Sequence, residues 1–599
     1  MTNKPEHNIT SNNKRLIFRS DLYAPAIFFI ITAAYFKWFG DYVLFFQEQE
    51  ALFVYTGNYL KEYLVRPGGI AEYIGFFLTQ FYYYPAAGAV IIAAVLALAA
   101  FLVRAAGKRT GAADPLLLSL TFMIPSCLLL LMQAHYYHLM VYNLGYLSAL
   151  AAFLCSYSTG GKFRITVAPF LLVILYFTFG AFALIYTAMC LAALLRFEKG
   201  SSRYVYPAVI LLTAGLTLLL SRHVIFTETT GTLLTYPLPL VDDNRHRVLF
   251  FILTAFLTAF PLIVKMPAPL NIKGKPAIYL EKYLATAFTL AAMVMLLAWY
   301  NPQRAKVIRL QKLVAEKEWE EAVRLHETSP SRNLIGQFYY NLALAETNQL
   351  STRLFHGKQD FGPTSLILPW GDVHLNRGAL FYYATGLINE AHRWAYESMV
   401  IYGYRPQNML LLAKANLING NYRIAEIYIS ILRNTLNYRS KAVELGQLLN
   451  NDEAVMAHPE LGEKVRLLPK EKDFFIDTEF PQRNILMLLE ANPANIKAFE
   501  YKLAWLLLTK EVEEIVSLIP VMGAVGYTRL PRHVEEAVLV YSNATGMMPD
   551  LGGLDLSSDA QLRFSRYINA FNSYRQNPGA NREVIERFDN TFWYYLHFN

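Results

Sequence analysis

Residues 28–50 read FFIITAAYFKWFGDYVLFFQEQE, an apolar run that closes on three carboxylates, Asp41, Glu48 and Glu50. At 1.5 Å per residue, a helix of this length reaches across the roughly 30 Å hydrocarbon core of a bilayer. A carboxylate beside hydrocarbon is costly unless water, a counter-charge or chemistry compensates it. The stretch therefore predicts a first membrane-spanning helix whose far end carries Asp41, Glu48 and Glu50 as candidate catalytic groups.

The rest of the chain divides near residue 300. Residues 1–300 hold 22 Lys+Arg against 13 Asp+Glu, and residues 301–599 hold 32 against 33, so the net charge of +8 separates into +9 and −1. The basic excess lies between apolar runs, which points to membrane topology and away from nucleic acid as a partner. Cys127, Cys155 and Cys190 all sit inside apolar runs, so neither a disulfide framework nor a Cys-ligated zinc is available.

A bilayer crossing needs about 20 apolar residues. Nine segments qualify: 22–46, 84–103, 115–133, 139–157, 165–179, 181–195, 204–220, 248–264 and 283–300. Short cytoplasmic loops collect Lys and Arg. Nine crossings place sixteen basic residues inside, among them Lys4, Arg104, Lys108, Arg109, Lys162, Lys199, Lys265 and Lys273, against five outside: Lys61, Arg66, Arg222, Arg245 and Arg247. Residues 1–20 become a cytoplasmic tail, and everything after 300 falls outside the cytoplasm. The joint in this scheme is residues 165–195, about 46 Å long as a single helix. A hairpin breaking near Gly180 keeps the asymmetry, whereas one merged span reduces it to twelve against nine.

Two loops on the expected outer side are large enough to hold a site. Loop 47–83 places Leu52, Phe53, Tyr59, Leu60, Tyr63 and Leu64 at helical spacing before Arg66-Pro67-Gly68-Gly69, and predicts two amphipathic helices in the interface. Loop 221–247 brings Arg222, His223, Glu228, Asp242, Asp243, Arg245, His246 and Arg247 to one surface, and a short turn adds His135 and His138 around Tyr136-Tyr137.

After Pro302 the pattern changes to helices of ordinary length. In residues 407–436, Leu412, Ala413, Gly420, Tyr422 and Ala425 fall at the offsets of a tetratricopeptide helix pair, with Gly420 at the turn. The expectation is a soluble α-solenoid of about six to eight such pairs across residues 301–599. Residues 351–380 interrupt it, with Leu366, Ile367, Leu368 and Trp370 placed as a lid that dips toward the membrane-side site. The C-terminal NTFWYYLHFN predicts an aromatic helix docked as a cap. The fold class is thus all-α: a polytopic membrane domain, residues 21–300, followed by a helical-repeat domain.

The phrases Gly386-Leu387-Ile388-Asn389-Glu390-Ala391, Asn492-Pro493 with Ala498-Phe499-Glu500-Tyr501, and Leu530-Pro531-Arg532-His533 resemble those of an uncharacterised bacterial family of multi-pass membrane proteins with a helical-repeat C-terminus. That resemblance covers most of the chain and carries no activity. The layout is also similar to the GT-C glycosyltransferases: an acidic end to the first helix, two interfacial helices, further spans and an outer C-terminal domain. Those enzymes use polyprenyl-phosphate-linked sugars, and an outer-loop carboxylate commonly acts as base. Asp41 stands at about the matching place, without the paired acidic residues of that group.

The resulting expectation is a glycosyltransferase at the outer face of a bacterial inner membrane, its repeat domain periplasmic. Asp41 is the expected base, with Arg222, Arg245, His246 and Arg247 on the lipid phosphate. A divalent metal on Glu228, Asp242 or Asp243 is the one cofactor left open. Membrane lipids are expected partners. The alternative is a membrane-anchored scaffold whose repeats recruit an envelope protein. A transporter is disfavoured because the span interiors hold almost no ionisable residue. No nucleotide, zinc or acyl-transfer motif is present.

Overall fold

A computed structural model describes residues 7–110, 118, 121–159, 161–197, 200–264, 266, 275–469, 476, 477 and 479–599. Among the described residues every regular element is helical and none is a strand. The chain separates into two compact units between Tyr300 and Asn301.

In the first unit, five helices are long and apolar enough to cross a membrane: Pro85–Arg109, Met140–Ser158, Ser202–Ile225, Asn244–Ile263 and Tyr279–Trp299. A bent pair, Tyr23–Trp38 with Asp41–Glu50, makes a sixth if counted as one span. Their outward faces carry exposed apolar side chains such as Leu212, Leu216, Phe251 and Val294. A ring of such surface is unfavourable in water and natural in lipid. Three more of the nine expected segments form shorter apolar helices, Ile124–Gln133, Phe163–Phe179 and Phe182–Arg196. The shortest has 10 residues, about 15 Å, half of a hydrocarbon core. Part of the segment expected at 115–133 lies outside the described residues, as do Lys4, Lys199, Lys265 and Lys273.

The opening stretch departs from the single straight helix expected of it. The first helix, His7–Trp38, already runs through most of the supposed tail and stops at Phe39-Gly40. The N–H groups of Phe39 and Gly40 both return to the Tyr35 carbonyl, at 2.8 and 2.9 Å, which closes the helix. Gly40 lets the chain pass over Phe36, where an added Cβ would sit 2.8 Å from Cδ1. The next helix, Asp41–Glu50, then leaves at 76°. The carboxylates therefore lie along a helix folded across the end of the bundle, with Tyr42, Val43, Leu44, Phe46, Gln47, Glu48 and Gln49 buried.

Loop 47–83 also differs from expectation. Residues 51–55 carry no helix, with Leu52, Phe53 and Val54 buried; the two expected helices are shorter, Gly57–Tyr63 and Gly69–Thr79, and a 3-10 turn Gln80–Tyr83 follows the second. Helical spacing was misleading because Phe53 anchors the segment instead, its ring 4.9–5.5 Å from those of Tyr55, Tyr59, Tyr73 and Phe77.

Residues 161–197 form two helices, Gly161–Phe179 and Phe182–Phe197, joined by Gly180 at φ +61°. The second folds back on the first, so that the Tyr186 hydroxyl donates to the Ala168 carbonyl at 3.1 Å. Two other loops clasp the turn. The Gly68 N–H donates to Phe177 O at 3.1 Å, and the Ala181 N–H to Tyr236 O at 2.9 Å.

In the second unit, the helices Pro406–Ile418 and Tyr422–Arg433 pack as a pair around fully buried Leu412, Ala413 and Ala425, with Gly420 at φ +70° between them. In a solenoid each repeat touches only its neighbours. Here the helix Ile496–Thr509 reaches back some 150 residues: Lys497 Nζ donates to the carbonyls of Ala345 and Glu346 at 2.8 and 2.7 Å, and Glu500 accepts from Ser351 N and Oγ, both at 2.7 Å. These side chains satisfy a helix C-terminus and a helix N-terminus respectively.

The expected lid is part of that core. Leu366, Ile367 and Leu368 are buried, because Asn341 Nδ2 donates to Ser365 O and Oγ at 3.2 and 3.0 Å and fastens the loop inward. Trp370 packs edge-on against Trp394 at 4.6 Å beneath Arg393. Leu366 is therefore a core residue of this unit, while Trp370 stays partly exposed.

Glu460 offers a pH test of the packing. It accepts from Lys414 Nζ and Tyr383 OH, both at 2.9 Å, and pairs with Lys317 at 2.6 Å. Burial alone would raise its carboxyl, but Lys414 and Lys317 bring it down to about 2. A depressed carboxyl stabilises fully above its unfolded value, near 4.3, and the gain disappears as pH falls through the folded value. The stability difference between the parent and Glu460→Gln, on the order of 2–3 kcal/mol, is expected to hold above about pH 5 and to shrink toward pH 2, as read by thermal unfolding across that range.

Candidate functional site

The helix Asp41–Glu50, the turn at 134–139, loop 47–83, Gly180 and loop 221–247 meet at one end of the first unit. Phe46 packs against Tyr136 and Tyr137 at 4.6 and 5.2 Å, and Arg245 lies over the Trp299 ring at 5.6 Å. At the opposite ends of the helices, Arg104 pairs with Glu281, Lys282 covers Tyr23 and Arg164 covers Tyr157.

The most developed feature of the shared end is a buried polar network. Gln47 Nε2 donates to the carbonyls of His138 and Tyr136 at 2.8 and 3.3 Å. Gln133 Nε2 donates to Gln47 Oε1 at 3.3 Å, and Asn143 Nδ2 donates to Gln133 Oε1. Asn143 Oδ1 lies 3.1 Å from His138 Nε2, and His138 Nδ1 lies 2.8 Å from His246 Nε2. All five side chains are 2% exposed or less. Burial, reinforced by the neighbouring His246, holds the His138 imidazole well below its ordinary value and hence neutral.

Beside it stands a carboxylate–histidine pair. Asp243 Oδ1 caps the helix that follows, accepting from the N–H groups of Arg245 and His246 at 2.9 and 3.0 Å, while Oδ2 faces His135 Nε2 at 3.8 Å. His135 Nδ1 accepts from the Tyr137 N–H at 3.3 Å. Further along, Glu72 accepts from Arg66 at 2.7 Å and from the Tyr236 hydroxyl, whose phenol is pushed up by burial and by Glu72 itself.

The sequence-predicted residues separate into groups. Asp41 and Glu48 are seven residues apart, two helical turns, and share a face of their helix about a third of a turn from Gln47. Glu48 is buried and accepts from Gln49 Nε2 at 2.6 Å, whereas Glu50, at the last turn, is partly exposed. Arg222 is spent on its own loop, donating to Glu228 O at 2.7 Å. Arg247 pairs with Asp242 at 3.2 Å on open surface. His246 points inward, its Nε2 2.8 Å from His138 Nδ1. Asp242 and Asp243 are taken by Arg247 and by helix capping, and among the described residues no three His, Cys, Asp or Glu side chains gather as a metal would require. Glu228, Asp242 and Asp243 are therefore not brought together as one such group.

Gln47, Gln133 and Asn143 were missed from sequence. Gln133 and Asn143 carried a signal, being amides at the ends of otherwise apolar helices, where a buried polar group needs a partner. The family model for a family of unknown function, DUF6057, matches residues 16–599. No curated protein and no solved structure matches the chain.

Proposed function

We propose, from the premise that the chain belongs to the DUF6057 family of unknown function, that it is a membrane glycosyltransferase drawing sugar from a polyprenyl-phosphate carrier. On this reading the nine apolar helices cross the bacterial inner membrane alternately and loops 47–83 and 221–247 face the periplasm. The second unit is then a periplasmic, tetratricopeptide-like domain. The observation that carries it is the convergence at one end of the bundle. The carboxylate-bearing helix is tied through Gln47 to the turn at 134–139, and that turn is tied through His138 to the helix bearing Arg245 and Arg247.

Asp41, or Glu48 on the same face, takes the proton of the acceptor hydroxyl as its oxygen bonds to the sugar C1. The C1–O bond to phosphate breaks, and the phosphate leaves with the electron pair. Arg245 and Arg247 meet that charge. The Arg247–Asp242 pair is a surface contact of the kind worth under about 1 kcal/mol, so a phosphate readily displaces it.

In vesicles supplied with a radiolabelled polyprenyl-phosphate sugar, Asp41→Asn or Glu48→Gln is expected to reduce transfer by roughly 10²–10⁴-fold at equal membrane abundance. Full activity in both removes the carboxylates from the base role. A second reading, a scaffold, is supported by the exposed apolar side chains Val400, Ile401, Ile424 and Ile427 on two helices of the second unit. A stoichiometric protein retained by the full-length chain, and lost with Ile427→Glu, would favour it.

A further inference from the structure

We infer that His246 Nδ1 is a ligand-binding acceptor, held bare by the amide network and matched by its lone pair to a hydroxyl group of a neutral, sugar-like ligand. The ligand class rests on the function proposed above; the bare acceptor does not.

The direction of the network decides the point. Gln47 faces two main-chain carbonyls, His138 O and Tyr136 O, and only its NH₂ can satisfy both. Its Oε1 must then accept, which forces Gln133 to donate with Nε2 and to accept with Oε1. Asn143 is turned the same way, its Nδ2 toward Gln133 and its Oδ1 toward His138 Nε2. An amide oxygen accepts, so His138 Nε2 carries the proton. The neutral ring then has its lone pair on Nδ1, and the hydrogen between the two rings belongs to His246 Nε2. A second N–H on His246 would have no acceptor, since Nδ1 is buried without a partner, so the ring keeps its one proton on Nε2 and leaves Nδ1 unprotonated. Reversing any member would turn Gln47 Oε1 against two carbonyl oxygens.

That Nδ1 has no hydrogen-bond partner, although the residue is 2% exposed. An orphaned buried acceptor loses its hydration with nothing in return, and such an atom calls for an explanation. The titratable groups around it give none. His138 is committed as described, and His135, its ring 5.7 Å away, directs Nε2 to Asp243 and Nδ1 to the Tyr137 N–H. The Arg245 guanidinium lies over Trp299. A metal would need further ligands, and no such group forms among the described residues. A hydroxyl donor fits the remaining valence. The rings of Tyr136 and Tyr137, 4.6 Å apart and with Tyr137 half exposed, add the aromatic surface that sugar-binding sites pair with a few fixed polar atoms.

The test uses the full-length protein in lipid nanodiscs with ring-¹⁵N histidine, the His246 signals being assigned by their absence in His246→Gln. The expected spectrum has Nε2 protonated and Nδ1 as a free lone pair. A short-chain alkyl glucoside, added below its micelle concentration, is expected to shift Nδ1 saturably. Asn143→Leu, which cuts the network, is expected to mix the tautomers and weaken glucoside binding about tenfold. A proton on Nδ1 in the parent, or an Nδ1 signal unmoved at saturating glucoside, overturns the inference. A shifted Nδ1 in a protein with no transfer activity keeps the acceptor and discards the transferase. Transfer retained in a protein whose Nδ1 carries the proton does the reverse.

Discussion

Glu536→Ala is expected to destabilise the second unit by about 3–5 kcal/mol and to release the C-terminal helix Phe592–Phe598. Glu536 is fully buried and has four donors. Oε1 accepts from Arg532 Nε at 3.1 Å and Arg563 Nη1 at 3.0 Å, and Oε2 accepts from His533 Nδ1 at 2.9 Å and the Phe592 N–H at 2.7 Å. His533 is fixed as the Nδ1–H tautomer because its Nε2 accepts from the Phe355 N–H at 3.4 Å. Removing the carboxylate leaves two guanidinium groups and a helix N-terminus without their shared acceptor, a larger loss than deletion of an exposed pair. Burial alone would raise the Glu536 carboxyl, yet His533 and Arg532 hold it below the usual range. Its contribution is therefore present at neutral pH and lost as acid protonates it. Thermal unfolding of the full chain reads the first effect, and tryptic cleavage at Arg582 or Arg587 reads the second. Parental resistance at both arginines would mean the C-terminal helix is held by Trp593 and its apolar neighbours alone.

That carboxylate also marks where sequence reading stops. The docked C-terminal helix was legible from NTFWYYLHFN, since an aromatic cluster in a polar neighbourhood must be buried; Phe592 and Trp593 are fully covered. The helix pair at 406–433 was legible for the same reason, with small residues and Gly420 at fixed offsets. The burial of Leu366, Ile367 and Leu368 was not legible, because the prolines and glycines of residues 351–380 do not show that Asn341, in the preceding helix, and Gln359 fasten the loop inward. A local pattern cannot report a partner distant in sequence. The site at the bundle end follows that rule. Asp41 and Glu48 announced themselves as charges beside hydrocarbon. The network from Gln47 to His246 depends on contacts spanning 86 to 108 residues in its longest steps. The bend at Gly40 was missed for a different, local reason: helical periodicity continues through Phe39-Gly40-Asp41, and the turn is closed on the Tyr35 carbonyl with Gly40 against Phe36.

The sign of the change at Gly180 separates the two readings of residues 161–197. Within one continuous helix, Gly180→Ala would stabilise by roughly 0.5–1 kcal/mol, because alanine restricts the unfolded chain and suits the helix. At the observed hairpin the same substitution is expected to destabilise by roughly 2–5 kcal/mol. Gly180 has φ +61°, a region that costs an L-residue about 1–2 kcal/mol. Its added Cβ would also run into the Tyr236 carbonyl oxygen and come within 2.7 Å of Pro237 Cδ. Gly68, at φ +83°, meets the same junction from loop 47–83, so neither neighbour can yield without parting the two loops at the candidate site. Gly200→Ala supplies the control. Gly200 has φ +64° and nothing within 4 Å of the added carbon, so only the conformational part of the penalty applies. Thermal unfolding in detergent should rank the parent first, Gly200→Ala next and Gly180→Ala last. A stabilised Gly180→Ala would join the two helices into one. That would reverse every later crossing and put the second unit in the cytoplasm, and the periplasmic reading of this chain would fall with it.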